Sequence, residues 1–525
     1  MKRTTLSIIL IGISIITSCN KFDNINIDPT RSSNLDPALQ LTNVQLRYSG
    51  DLEINEKIHL CITMPLVQQV GGIWSNRWGQ MYIYNRLYLS SLWDNSYNKD
   101  VTDIVSAVER SSNNPLMSNL NAVCRIMKVY EFARMTDLYG DIPYTEAGLA
   151  YSKGITHPKF DRQEDIYNHF FEELTAAAAQ LDPSKDVVRG DQFYNGNIAA
   201  WKKFANSLRL RYAMRLVKVN PEKAKAEAKS AYDAGVFTSN ADICLIHHED
   251  VQNSYSDSRG NGLSAAFVQS EVLPRVNNTF IEQFRLTNDP RMSHFFRYYI
   301  DIINRPFDRI DITDQVREKI GYNGVKPTDY VWDEQLAPLD ITLPNGTAIT
   351  ATSNDQKVQL ANFLIRNNAP FFHMTFAEVE LLLAEASIRW NVNWGGTGAE
   401  HYANGIRAAC EQLSLYPTGP KIETALINNF IQSNRLVPGS EIELINKQLW
   451  IALLMNGTEA FANWRRTGFP VLTPSLTGES TTKVIPRRLE YPINESEQNR
   501  ANVEVAIKAL GPNGDTWTNR VWWDK

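Results

Sequence analysis

The stretch from Asn114 to Ala147 constrains the fold more than any other part of the chain. Leu116, Leu120, Val123, Met127, Tyr130 and Met135 recur at three- to five-residue spacing, and Ile126, Val129, Phe132 and Ala133 fill the neighbouring stripe. An apolar surface this wide has to be covered on more than one side, so this helix is expected at the centre of a bundle. Asn114 suits the capping position, and Pro115 suits the first turn, where no amide hydrogen is needed. Gly140 is expected to end the helix as a left-handed cap, with Pro143 barring a restart.

Other segments carry the same period. Helices are expected over Pro37–Arg47, Ile54–Met64, Ser90–Glu109 and Asp161–Gln180. Asn197–Val217 and Glu222–Ala234 form a pair spanning about one tetratricopeptide period, with Trp201, Ala205, Leu208 and Tyr212 facing inward. A second pair follows much later. Thr375–Arg389 carries Phe376, Val379, Leu383 and Ala386, and Ala399–Leu413 carries Tyr402, Ile406 and Ala409. Ile422–Gln432 and Glu441–Leu454 continue the theme. Paired helices at both ends argue for one all-α, tetratricopeptide-like scaffold, mainly 35–235 and 370–465, within a single domain 19–525. From about 241 to 369 the chain is rich in Asn, Asp, Gly, Pro and Ser, with short helices expected at Asn278–Phe284 and Pro290–Tyr299. Such a loop-rich insertion is where function is expected.

The first residues read as a targeting segment. Lys2-Arg3 precedes an apolar run, Leu6–Ile16, too short to span a bilayer and proportioned like a secretory signal, here 1–18. The end, Ile16-Thr-Ser-Cys19, resembles a bacterial lipobox, in which Cys19 is acylated and becomes the new N-terminus; an ordinary signal peptide with an incidental cysteine is the alternative. Two or three acyl chains, at about 0.8 kcal/mol per buried methylene, would hold the protein at a membrane. Cys61, Cys124, Cys244 and Cys410 are widely spaced and expected as buried free thiols, with no zinc-site spacing among them. A formal charge of −5 argues against a nucleic-acid partner.

Chemistry-bearing motifs are few. There is no G-x-S-x-G elbow, P-loop, dinucleotide fingerprint or H-E-x-x-H, and no cofactor is expected. His247-His248-Glu249-Asp250 lacks a correctly spaced metal partner, so no metal ligand is assigned. Arg209, Arg211 and Arg215 sit in an apolar setting and need partners, such as Asp137 or Asp141, unless they bind a ligand. Two loop clusters stand out. Gly71–Tyr82 holds Trp74, Asn76, Arg77, Trp78 and Tyr82, and Asp329–Asp333 holds Tyr330 and Trp332. Either their aromatics fold back on the core, or they form an exposed site where flat rings stack on sugars and Asn and Arg bond hydroxyls or carbonyls. No catalytic residue is assigned.

Several strings, in order along the mature chain, resemble the SusD/RagB (SusD-like) lipoproteins of Bacteroidetes. They are Phe22–Thr30, Thr136–Tyr144, Trp201–Arg211, Asn288–Arg291, Ala377–Ala386, Trp464–Gly468 and Arg487–Pro492. The resemblance implies a non-catalytic outer-membrane lipoprotein, anchored through Cys19 and exposed at the cell surface. It would capture oligosaccharide, or peptide in other family members, for a SusC-like TonB-dependent transporter. The residues after Cys19 lack the dense acidic run that resembles a surface-export signal. A glycoside-cleaving enzyme would instead need two carboxylates about 5–10 Å apart beside the aromatics. A protein–protein scaffold would need an exposed apolar groove on the helices.

Overall fold

The central helix runs Ser118–Tyr139, and 19 of its 22 residues are buried. Helices Pro37–Gly50, Val101–Ser111, Gln163–Gln180 and Ile198–Arg215 all pack on it, which is why apolar residues appear nearly all around it. The computed structural model describes residues 35–269, 272–302 and 305–525. The expected signal segment 1–18, Cys19 and Phe22–Thr30 lie outside the described residues.

The start of the central helix departs from expectation. Asn114 caps only a 3₁₀ turn, Pro115–Met117, by accepting from the Leu116 amide at 3.0 Å, and Leu116 is 82% exposed rather than part of the stripe. The α-helix proper is capped from a distance: the Asp186 carboxylate accepts from the Asn119 and Leu120 amides at 2.7 and 3.0 Å. Free N-terminal amides take whatever acceptor the fold brings, and one 66 residues away leaves no local signature. Asp186→Ala is expected to cost about 1 kcal/mol, read as a lower urea midpoint with unchanged slope. Gly140 ends the helix at φ +88°, ψ −124°, a glycine conformation outside the left-handed helical region expected for it.

The two helical hairpins form as the sequence pattern predicts. In Ile198–Arg215 and Pro221–Ala234, the Asn197 and Asn220 side chains cap each start. In Phe376–Trp390 and Gly398–Glu411, Thr375 caps the first helix and a Thr397/Glu400 capping box the second. The hairpins pack together through Ile198–Arg215 and Phe376–Trp390, and Glu441–Ala452 and Gly457–Thr467 continue the stack. One cluster of buried apolar side chains runs from Leu41 to Trp523. The four described cysteines are free and buried.

Local irregularities mark the N-terminal layer. The expected helix Ile54–Met64 has a π-helical body, Asn55–Thr63, and Ser90–Glu109 is divided by a π turn, Ser96–Asp100, into Arg86–Asn95 and Val101–Ser111. In the insertion, Asn278–Thr287 is helical as expected. Pro290–Tyr299 is not one helix: a single turn, Met292–Phe295, gives way to extended Phe296–Arg297 and Tyr299–Ile300. Short antiparallel pairs tie the insertion down, among them Phe371–Met374 with Cys244–Ile246 and Val70–Gly71 with Arg275–Val276. The second pair sets the base of the aromatic loop 71–82 against the insertion.

A buried ionic lattice joins the strings that carry the family resemblance. Arg211 forks onto Glu378 at 2.6 and 2.7 Å, Arg215 bridges Glu459 and Asp137, and Arg466 forks onto Glu385 at 2.6 and 2.7 Å. Arg465 donates to the Asp137 carbonyl, Arg488 to the Tyr139 carbonyl, and the Leu489 amide to the Leu138 carbonyl. Two of the expected pairings differ. Arg209 pairs with Glu227 on the neighbouring helix, and Asp141 accepts from the Gln163 amide instead of an arginine. Arg209, Arg211 and Arg215 are structural: each is paired with a carboxylate inside the scaffold.

Candidate functional site

The two aromatic clusters, more than 240 residues apart in sequence, meet in space. Loop 71–82 begins with Gly72 at φ +89°, where a Cβ would come within 2.9 Å of Val325, so only glycine lets the insertion approach this closely. The loop then coils through a 3₁₀ turn, Trp74–Asn76, and one helical turn, Arg77–Gln80. Gln80, 1% exposed, brackets both loops. Its Oε1 accepts from the Gly72 amide at 2.7 Å and its Nε2 donates to the Asp329 carbonyl at 2.8 Å. The Val331 amide donates to the Gly72 carbonyl at 2.8 Å.

This bracket lines up an aromatic stair. Trp74 and Tyr330 stack with centroids 5.8 Å apart at 24°, and Tyr330 and Trp332 with centroids 5.0 Å apart at 8°. Near-parallel rings at those separations overlap only in part, so each leaves a strip of one face uncovered. Trp74 is 55% and Trp332 40% exposed, the kind of apolar surface that chains usually bury. Behind Trp74 lies the Arg77 guanidinium, 3.3 Å from that ring and 4.1 Å from the Trp78 ring. No carboxylate pairs with Arg77 among the described residues; the two indole faces hold the cation in place. Burial raises the Tyr330 phenol above its ordinary value, and the neighbouring Arg77 charge opposes that rise. Trp78 in turn packs against Tyr88, centroids 5.5 Å apart.

Five of the seven residues singled out in sequence, Trp74, Arg77, Trp78, Tyr330 and Trp332, therefore form one assembly. The other two lie elsewhere. Asn76 is buried, donating to the Leu60 carbonyl at 2.7 Å. Tyr82 is 1% exposed at φ +57°, its hydroxyl accepting from the Ser475 amide at 3.0 Å. Both shape the loop from below and present nothing to a ligand. Gln80 escaped the sequence reading because a glutamine among glycines and aromatics has no periodic or motif signal. Gln80→Leu unpairs the Gly72 amide and the Asp329 carbonyl, a local cost of about 1–3 kcal/mol. The expected readout is faster amide exchange over 72–80 and 329–333, with the global unfolding midpoint little changed.

The family profile described as "Starch-binding associating with outer membrane" matches residues 29–492. Among solved structures, one described as a chitin-binding protein is 36% identical, covering 93% of this chain and all of that one, with a TM-score of 0.81. A Bacteroidetes SusD-like protein is 31% identical over 94% of this chain and all of its own, with a TM-score of 0.86. A chitin-binding SusD homologue from Flavobacterium johnsoniae, at 23% identity and a TM-score of 0.71, covers 93% of this chain and 98% of its own and shares the fold. No curated protein sequence matches the chain. Over most of its length, residues 29–492, this chain belongs to the SusD-like family.

Proposed function

We propose that this protein captures an oligosaccharide on the Trp74–Tyr330–Trp332 stair and passes it, uncleaved, to a TonB-dependent outer-membrane transporter of the SusC-like kind. The observation that carries the reading is the stair itself: three overlapping rings, two of them well exposed, fixed by a buried bracket and backed by a stacked cation. Flat, partly uncovered aromatic faces suit the apolar faces of sugar rings, and a pre-formed surface loses little ordering entropy on binding. The 36%-identical relative is described as chitin-binding, which favours a β-linked aminosugar chain as the first ligand to test. Anchoring through Cys19, with its acyl chains, is proposed from the lipobox-like Ile16–Cys19. Among the described residues no helix is long and apolar enough to cross a membrane.

A glycosidase reading draws on one observation. Asp333 and Glu479 both act electrostatically on the Tyr330 phenol, so two carboxylates lie near the stair. Asp333, however, is occupied within its own loop, accepting from the Tyr330 amide at 2.6 Å. Titration with chitin, starch and peptide oligomers, followed by chromatography of the recovered ligand, separates the readings. Saturable binding of a glycan with no shortened product supports capture. Shortened sugars would establish an enzyme, and saturation by peptides alone would move the cargo to another class. Co-purification of a large outer-membrane β-barrel with the tagged, membrane-anchored protein is expected; its absence after cross-linking would remove the transporter from the proposal.

A further inference from the structure

The aromatic surface does not end at Arg77. On the far side of the guanidinium, Trp78 passes contact to Tyr88, and the Lys57 ammonium sits 5.8 Å from the Tyr88 ring. Lys57 and Glu56 are successive residues of the π-helical body Asn55–Thr63, and Lys57 is ion-paired with Glu53 at 2.6 Å. Glu56 in turn accepts a 3.1 Å hydrogen bond from the hydroxyl of Tyr255, a ring 63% exposed in the segment 250–259. Burial pushes the Tyr88 phenol up to about 12, with Cys61, Glu56 and Tyr255 each adding to the rise. Leu87, beside Tyr88, is 66% exposed. A fixed, exposed phenol, a second half-buried one, the Lys57–Glu53 ion pair and the Glu56 carboxylate are a stacking surface with both a donor and acceptors at its edge.

We propose that Tyr255, Tyr88, Glu56 and Lys57 form a second sugar subsite, which holds the far end of the oligosaccharide seated on the stair. Resting on the capture reading, this makes the protein a reader of chain length. The stair and the second subsite are separated by the Trp74–Arg77–Trp78 sandwich, in which the guanidinium has no carboxylate partner among the described residues and bridges the two surfaces. A short ligand reaches one end only; a longer linear one engages both ends and gains from the second contact without a second loss of translational freedom. The occupant is one continuous chain of uncharged sugar: Lys57 is already paired with Glu53 at 2.6 Å, and Glu56, bonded to Tyr255, leaves carboxylate lone pairs that suit sugar hydroxyls and repel an anionic chain.

The test uses the full chain in detergent and two ligand series, N-acetylchito- and malto-oligosaccharides, each as disaccharide and hexasaccharide, titrated by calorimetry. The wild type is expected to bind one hexasaccharide more tightly than its disaccharide. Tyr255→Ala should reduce that hexasaccharide affinity roughly tenfold, the size of one well-placed aromatic contact, and leave the disaccharide unchanged. Tyr255→Phe, which keeps the ring, should retain most of the affinity. Because Tyr255 is largely exposed, its loss does not endanger folding. Trp332→Ala should weaken both lengths. If Tyr255→Ala leaves the ratio of the two lengths unchanged while Trp332→Ala still weakens both, the second subsite is overturned and the stair survives. If Trp332→Ala changes nothing, or neither series binds the wild type, the capture reading and this extension fall together.

Discussion

Trp74→Ala is expected to lower oligosaccharide affinity by at least about tenfold, and by more than the loss of Tyr330 or Trp332. Trp74 is the end ring of the stair, held between the Arg77 guanidinium on one side and Tyr330 on the other. Removing it deletes an exposed contact face and also withdraws the surface that orders both neighbours. Arg77 loses the closer of its two indole partners, at 3.3 Å, and Tyr330 is left stacked only on Trp332. The indole is 55% exposed, so the scaffold has little to lose and the thermal midpoint should stay within a degree or two of wild type. Trp74→Phe should recover part of the affinity. Intrinsic fluorescence provides a second readout: ligand should perturb tryptophan emission in the wild type and far less in this variant.

Glu385→Gln is expected to destabilise the fold by about 3–5 kcal/mol without touching the binding surface. Glu385 is fully buried and accepts from Arg466 twice, from Arg389 at 2.6 Å and from Asn446 at 3.1 Å. Neutralising it strands the Arg466 cation, itself 0% exposed, inside the helix stack. Burial alone would raise this carboxyl, but Arg466 and Arg389 outweigh that effect and hold it at about 2, below the ordinary 4.5. A depressed carboxyl stabilises the fold in full above its unfolded value, and loses that contribution as pH falls from about 4.5 through about 2. The contribution is on the order of 3 kcal/mol. Urea midpoints should therefore separate wild type from Glu385→Gln most widely above pH 5, and the gap should narrow on acidification.

The two variants act on different layers, and the layers differ in how much of them the sequence discloses. Helix existence was readable because burial imposes a period: Trp201, Ala205, Leu208 and Tyr212 are all buried, as their spacing requires. The family strings were equally readable, and the structure gives a physical reason. Asp137, Glu378, Glu385, Arg465, Arg466 and Arg488 are interlocked, so each constrains the others, and none of them lies on the stair. The site was legible only as residue types in loops. Aromatic residues in polar loop settings pointed to Trp74 and Trp332, but sequence could not separate them from Tyr82, which is also aromatic and faces inward. Which ring turns outward is decided by long-range partners such as Ser475 and Asp329. The Asp186 cap and the Gln80 bracket stayed hidden for the same reason. Tyr88 and Tyr255 fell outside any cluster, because what links them is a π-helix distant in sequence from Tyr255, whose Glu56 bonds Tyr255 and whose Lys57 lies over the Tyr88 ring.

A crystal structure of the protein grown with a linear oligosaccharide from whichever series binds most tightly is the most direct test of the stair as a holding surface. The account predicts sugar rings lying against Trp332, Tyr330 and Trp74, with every glycosidic bond intact. Sugar ordered elsewhere with the stair bare, or a cleaved product beside Asp333 and Glu479, would contradict it.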